Sequence, residues 1–210
     1  MVVVASNDPQ ALPWAVDALD RGALVVIPTD TVYGLAARLD RPVALQRLYE
    51  AKGRPADRAI PVLISDVRRL GDLTSDLPDG AEEFAARFWP GALTIVLPRS
   101  AAVPDGVTAG GETVGLRMPA HPFALELIEA CGGALAVTSA NRSGLPSLSE
   151  AGAVAEALGD EVEVIVDGGR TPGGQASTVI TLTATGPAVL REGPIGLGAL
   201  RDAWAAERPE

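Results

Sequence analysis

The residues Leu24-Val25-Val26-Ile27-Pro28-Thr29-Asp30-Thr31-Val32-Tyr33-Gly34-Leu35 decide the fold class. A run of branched apolar residues, the composition of a buried strand, stops at a proline and gives way to two hydroxyls and a carboxylate at close spacing. In open α/β sheets ligands bind at the carboxyl ends of strands. The stretch therefore predicts a strand that delivers Thr29, Asp30 and Thr31 to a ligand, with Tyr33 as an aromatic wall and Gly34 as a point of close backbone approach. The same residues suit a strand followed by a helix with Thr or Asp at its N-cap, and at this point both readings stand.

Outward from that stretch, strand and helix signals alternate. Val2 to Ala5 reads as a strand, and Asn7 or Asp8 with Pro9 opens an amphipathic helix running to Arg21 and closed by Gly22. Asp40 as N-cap and Pro42 in the first turn mark the start of a helix that ends at Lys52-Gly53-Arg54-Pro55. Residues 60–64 read as a strand, Ser65 and Asp66 as the start of a short helical turn, 72–80 as a connection, and 81–88 as a helix broken by Trp89-Pro90-Gly91. Then come strand 92–97, loop 103–112, strand 114–118, helix 123–130, strand 134–137, loop 138–149, helix 150–158 and strand 162–166. A glycine-rich exit at Gly168, Gly169, Gly173 and Gly174 leads to strands 178–182 and 188–191 and a helix from Leu197 to Glu207. This predicts an α/β or α+β domain, one over residues 1–210, built on a single twisted mixed sheet flanked by helices.

Composition narrows the function. With 47% apolar and 21% charged residues the chain is of the soluble globular kind. The first residues carry no basic leader, and no run approaches the length of a membrane span, so the expectation is cytoplasmic with no membrane contact. A net charge of −10 argues against broad adhesion to nucleic acid or anionic lipid. The single Cys131, before Gly132-Gly133, excludes an internal disulfide and reads as packing rather than a reactive thiol. The single His121 reads as loop or cap and offers little for zinc or a Ser-His-Asp triad, so no protein metal site is expected.

Several turns could carry chemistry. Lys52, the only lysine, stands with Arg54 and Arg58 in a glycine- and proline-bent loop; these cations face either water or an anion, and a polyphosphate suits them. No Walker loop is present. The run from Thr138 to Ser147 concentrates hydroxyls, an amide and small residues, a composition that suits either phosphate binding or an ordinary turn. Arg117 and Arg191 end apolar strands, where a ligand carboxylate or a neighbouring Asp or Glu would pair them, and Ser177 and Thr178 add hydroxyls. Paired catalytic carboxylates and an activated nucleophile are missing from the pattern, so such a site would act by holding substrates together and neutralising charge.

Taken in order, Pro28-Thr29-Asp30-Thr31-Val32-Tyr33-Gly34-Leu35, Lys52-Gly53-Arg54-Pro55, Pro90-Gly91-Ala92-Leu93-Thr94, Val114-Gly115-Leu116-Arg117-Met118-Pro119, Ser139-Ala140-Asn141-x-Ser143-Gly144, Ser177-Thr178-Val179 and Leu190-Arg191 resemble the YrdC-like family, whose members are threonylcarbamoyl-AMP synthases. The resemblance implies an open α/β fold with a deep cationic cavity. It also implies a nucleotidyltransferase that condenses L-threonine, bicarbonate and ATP, with Mg2+ carried by the ATP, to threonylcarbamoyl-AMP and pyrophosphate. Partner proteins of a threonylcarbamoyl-transferase complex would pass the group to the adenosine beside the anticodon of tRNA, which this chain would meet only indirectly. By the same resemblance Thr29, Thr31, Tyr33, Arg117 and Ser177 would hold threonine. Lys52, Arg54, Arg58, Thr113, Ser139, Asn141, Ser147 and Arg191 would hold the nucleotide, with Lys52 and Arg54 on the triphosphate as the catalytic pair.

Two features depart from the family pattern. Residues 59–65 lack the basic or amide residue and histidine that many members carry there, and only about ten residues follow Leu200, which resembles the short form without a second domain. Two other readings compete. An RNA-binding module is disfavoured by the acidic balance. Carbamoyl transfer, as in related domains of hydrogenase maturation proteins, is disfavoured by the single cysteine.

Overall fold

A computed structural model describes residues 1–172 and 174–206; Gly173 of the glycine-rich exit and the expected helix end at Glu207 lie outside the described residues. The chain runs β1 (Val2–Ala5), α1 (Ala11–Asp20), β2 (Val25–Ile27), β3 (Gly34–Arg38), α2 (Pro42–Lys52), β4 (Val62–Ile64), α3 (Leu70–Leu73) and α4 (Ala81–Phe88). It continues through β5 (Leu93–Pro98), α5 (Asp105–Thr108), β6 (Thr113–Arg117), α6 (Pro122–Ala130), β7 (Ala134–Ser139), α7 (Ala151–Leu158), β8 (Val164–Asp167), β9 (Thr178–Thr183), β10 (Gly186–Arg191) and α8 (Leu197–Ala206). Among the described residues the strands form one mixed ten-stranded sheet in the order β1-β8-β2-β3-β7-β4-β6-β5-β9-β10, so the expected α/β class with a single mixed sheet holds.

The period-2 geometry of strands sorts the apolar residues into two layers. On β2, Val26 enters one layer while Val25 and Ile27 enter the other, and on β3 Leu35 and Ala37 oppose Ala36 in the same way. The first layer is covered by α2, α4, α7 and α8 through Leu48, Phe84, Val154 and Leu200; the second is covered by α1 and α6 through Leu19 and Leu127. Burying each such leucine contributes about 1.5–3 kcal/mol. Among the described residues no helix is long and apolar enough to cross a membrane.

The reading of the opening stretch as strand then capped helix is corrected here. Residues 28–33 turn back, and Gly34–Arg38 returns as β3, antiparallel to β2 with Ile27 opposite Gly34. Both faces of β3 are buried, so the strand shows none of the apolar–polar alternation that marks a strand in sequence. The expected loop 103–112 contains the short helix α5. At α2 the N-cap is Arg41 rather than Asp40, whose carboxylate instead pairs with Arg38 at 2.9 Å.

Candidate active site

The alternation that fills the core also builds the site. On β5, Leu93, Ile95 and Leu97 enter the core and Thr94 and Val96 face the other way; on β6, Val114 and Leu116 oppose Thr113, Gly115 and Arg117. The outward set lines a cavity of about 350 Å³, closed by Val137, Thr138 and Ser139 of β7, Ser177 and Val179 at the start of β9, Leu190 and Arg191 at the end of β10, and the turn after β2. Gly115 keeps its floor open, because a Cβ there would lie 3.1 Å from the Thr94 methyl. The site thus rests on a sheet face as well as on strand ends.

Each polar group is held by local backbone. Thr29 Oγ1 donates to Val32 O at 2.6 Å and accepts from the Thr31 and Val32 amides, a hydroxyl-stapled turn that buries both threonines. Tyr33 lines the cavity, but its hydroxyl donates to Gly169 O at 2.7 Å and accepts from Gly168 N, and burial pushes the phenol up to about 12. Arg117 donates from Nε to Gly91 O at 2.8 Å, from Nη1 to Thr31 Oγ1 at 3.0 Å and from Nη2 to Asp30 Oδ1 at 2.6 Å. Its strand-end charge is therefore paired by a neighbouring aspartate. The turn at Gly91 leaves no room for a side chain, since a Cβ there would meet Phe88 O at 2.4 Å.

The other two cavity arginines have neutral partners. Arg54 donates to the carbonyls of Arg58 and Ala59 at 3.0 and 2.6 Å, and Arg191 donates to the carbonyl and hydroxyl of Ser177. Burial lowers the pKa of all three guanidinium groups; Arg54 lowers Arg191 further and Arg191 lowers Arg117 further, as like charges around one space must. No carboxylate stands among the described residues that line the cavity.

Of the residues expected in the site, Thr29, Thr31, Tyr33, Arg54, Thr113, Arg117, Ser139, Ser177 and Arg191 line this one cavity. Lys52, Arg58, Asn141 and Ser147 are not part of its lining. Lys52 was expected on a triphosphate; its Nζ instead donates to the backbone carbonyls of Ser139 and Asn141, and burial lowers it to about 8. Arg58 is exposed, and its backbone carbonyl accepts from Arg54 and Tyr49. Asn141 is buried, with Nδ2 on the carbonyls of Arg142 and Leu145, and Ser147 is half-buried in the same loop. Thr138, the first residue of the hydroxyl-rich run, also lines the cavity, and Thr94 lines it without having been singled out as a binding residue. The signal for Thr94 was its place between Leu93 and Ile95, a hydroxyl on the strand face opposite the core.

The family model Sua5_yciO_yrdC, described as "Telomere recombination", matches residues 17–193. The chain is 48% identical over 84% of its length to the threonylcarbamoyl-AMP synthase of Pyrococcus abyssi (strain GE5 / Orsay), and 46% identical over 91% of its length to that of Bacillus subtilis (strain 168). It spans 52% and 56% of those two relatives, about half their length. The crystal structure of P. abyssi Sua5 complexed with L-threonine superposes with a TM-score of 0.92 at 42% identity, covering 97% of this chain and 61% of that one. With seven ordered motifs, the strand order and these likenesses in agreement, the chain belongs to the Sua5/YciO/YrdC family.

Proposed function

We propose that the chain is an L-threonylcarbamoyladenylate synthase, a nucleotidyltransferase of the cytoplasm that acts as one domain over residues 1–210. The observation that carries this reading is the lining of the cavity: three arginines, a rim of hydroxyls and no carboxylate among the described residues. Such a lining fits a hydroxylated amino acid beside a polyanion. The names of the relatives, and the threonine held by the P. abyssi protein, support the same choice of substrates.

In this reading Arg117 takes the threonine carboxylate, with Thr29, Thr31, Tyr33 and Ser177 around the amino acid. Arg54 and Arg191 take the phosphates of ATP, and Thr113 and Ser139 the rest of the nucleotide. Asn141 and Ser147 serve the nucleotide from the loop after β7, Lys52 serves it from the end of α2 by tying the last carbonyl of β7 to that of Asn141, and Arg58 adds positive charge beside Arg54. A divalent ion such as Mg2+ would be held by phosphate oxygens, since the lining offers it no carboxylate.

The threonine amine captures carbon dioxide derived from bicarbonate and releases a proton. The resulting carbamate oxygen bonds to the α-phosphorus while the bond to the bridging oxygen of pyrophosphate breaks. The chain's share is to fix two substrates in line and to offset charge with oriented guanidinium groups. Transfer of the product to tRNA then falls to partner proteins. The test is pyrophosphate release from ATP by the purified protein: the rate is expected to require both threonine and bicarbonate, and a rate indifferent to either removes the reading.

A further inference from the structure

Among the described residues three guanidinium groups share one cavity, yet only Arg117 is paired with a carboxylate. The Arg117 and Asp30 side chains are 7% and 15% exposed and meet at 2.6 Å, so little water screens the pair. Asp30 does not line the cavity; it sits in the turn between β2 and β3, behind Arg117, flanked by the two threonines that do line it. Its Oδ1 accepts from Ala120 N at 2.9 Å as well as from Arg117, so the backbone just past β6 fixes the carboxylate in place. Arg54 and Arg191, in contrast, are held by carbonyls and a hydroxyl and keep their full charge toward the cavity.

We infer that Asp30 is a positioning residue that sorts the two anionic groups of the substrates: by pairing with Arg117 it reserves that guanidinium for a monoanionic carboxylate and directs the polyphosphate to Arg54 and Arg191. The inference rests on the reading of the cavity as a site for an amino acid and a nucleotide. Its physics is like-charge repulsion. A ligand on Arg117 approaches a carboxylate already present, and that penalty grows with the ligand's charge, so a single carboxylate is tolerated where a phosphate chain is not. Three of the five N–H groups of Arg117 are engaged within the protein, and the remainder are enough to grip one carboxylate.

The test is threonine binding by calorimetry, without ATP and with or without saturating inorganic pyrophosphate. In the native protein, pyrophosphate is expected to leave threonine affinity unchanged. In Asp30→Asn, which keeps an acceptor for Arg117 and Ala120 but loses the charge, pyrophosphate is expected to spread onto Arg117 and weaken threonine binding by about tenfold or more. Asp30→Glu, which restores the charge, should behave as the native protein, and it serves as the comparison with Asp30→Ala should the asparagine variant melt early. A role in folding alone would not create competition between two ligands. If the charge-lacking variants bind threonine equally well with and without pyrophosphate, the sorting role is wrong. If the native protein binds no threonine at all, the reading of the site itself falls and takes this inference with it.

Discussion

The guanidinium of Arg191 grips Ser177 at three points: Nε and Nη2 donate to its backbone carbonyl at 3.1 and 2.7 Å, and Nη2 reaches its hydroxyl at 3.1 Å. The end of β10 is thereby locked to the start of β9, and the remaining face of the guanidinium is left to the cavity. A lysine offers no such fork. Arg191→Lys is expected to raise the KM for ATP by roughly tenfold or more and to lower kcat, as measured by pyrophosphate release. An unchanged KM would place the phosphates elsewhere.

Lys52 supplies a prediction with a sign. Its folded value of about 8 lies below the unfolded value of 10.5, so between them the unfolded chain binds more protons and stability rises with pH. Burial is the main cause and the nearby Arg54 charge the second. Denaturant titrations from pH 7 to 10.5, compared with Lys52→Met, should show the native protein gaining on the order of 1–3 kcal/mol that the variant does not gain. The same variant frees the carbonyls of Ser139 and Asn141, and its pyrophosphate release is expected to be nearly abolished.

Gly34 faces Ser139 across β3 and β7, and a Cβ at this position would lie 2.6 Å from Val137 Cγ1. Gly34→Ala is expected to destabilise the protein by about 1–3 kcal/mol through overpacking. Because the obstacle is one methyl group rather than backbone, Val137→Ala should recover part of the loss. A double-mutant cycle with no favourable coupling would contradict this account.

Cys131 is 5% exposed, and burial pushes its thiol up to about 11. Since the thiolate is the reactive form, a disulfide reagent at pH 8 should react orders of magnitude more slowly with the native protein than with the denatured chain. Rapid labelling of native protein would mean that α6 opens readily at its end.

Much of this molecule was legible in its residues. Branched apolar runs ending at Pro28 and Pro119, the glycine-proline punctuation around α2 and α4, and the ordered motifs carry the mixed sheet and the family, because period-2 burial and turn chemistry are local properties. That Thr29 and Thr31 leave the sheet as part of a cavity wall was legible for the same reason, as polar residues stranded at the end of a buried strand.

What the tertiary structure alone decided is which distant groups meet. The return of β3, the use of a whole sheet face including Thr94, the pairing of Asp30 with Arg117 and the capture of Lys52 by two carbonyls all depend on strand order and register. A charged side chain in a one-dimensional pattern has the same appearance whether it will face a ligand, a carboxylate or a carbonyl. Its partner is set only when segments nearly ninety residues apart are brought within a few ångströms, as Asp30 and Arg117 are, and the cost of leaving either buried and alone then makes that choice binding.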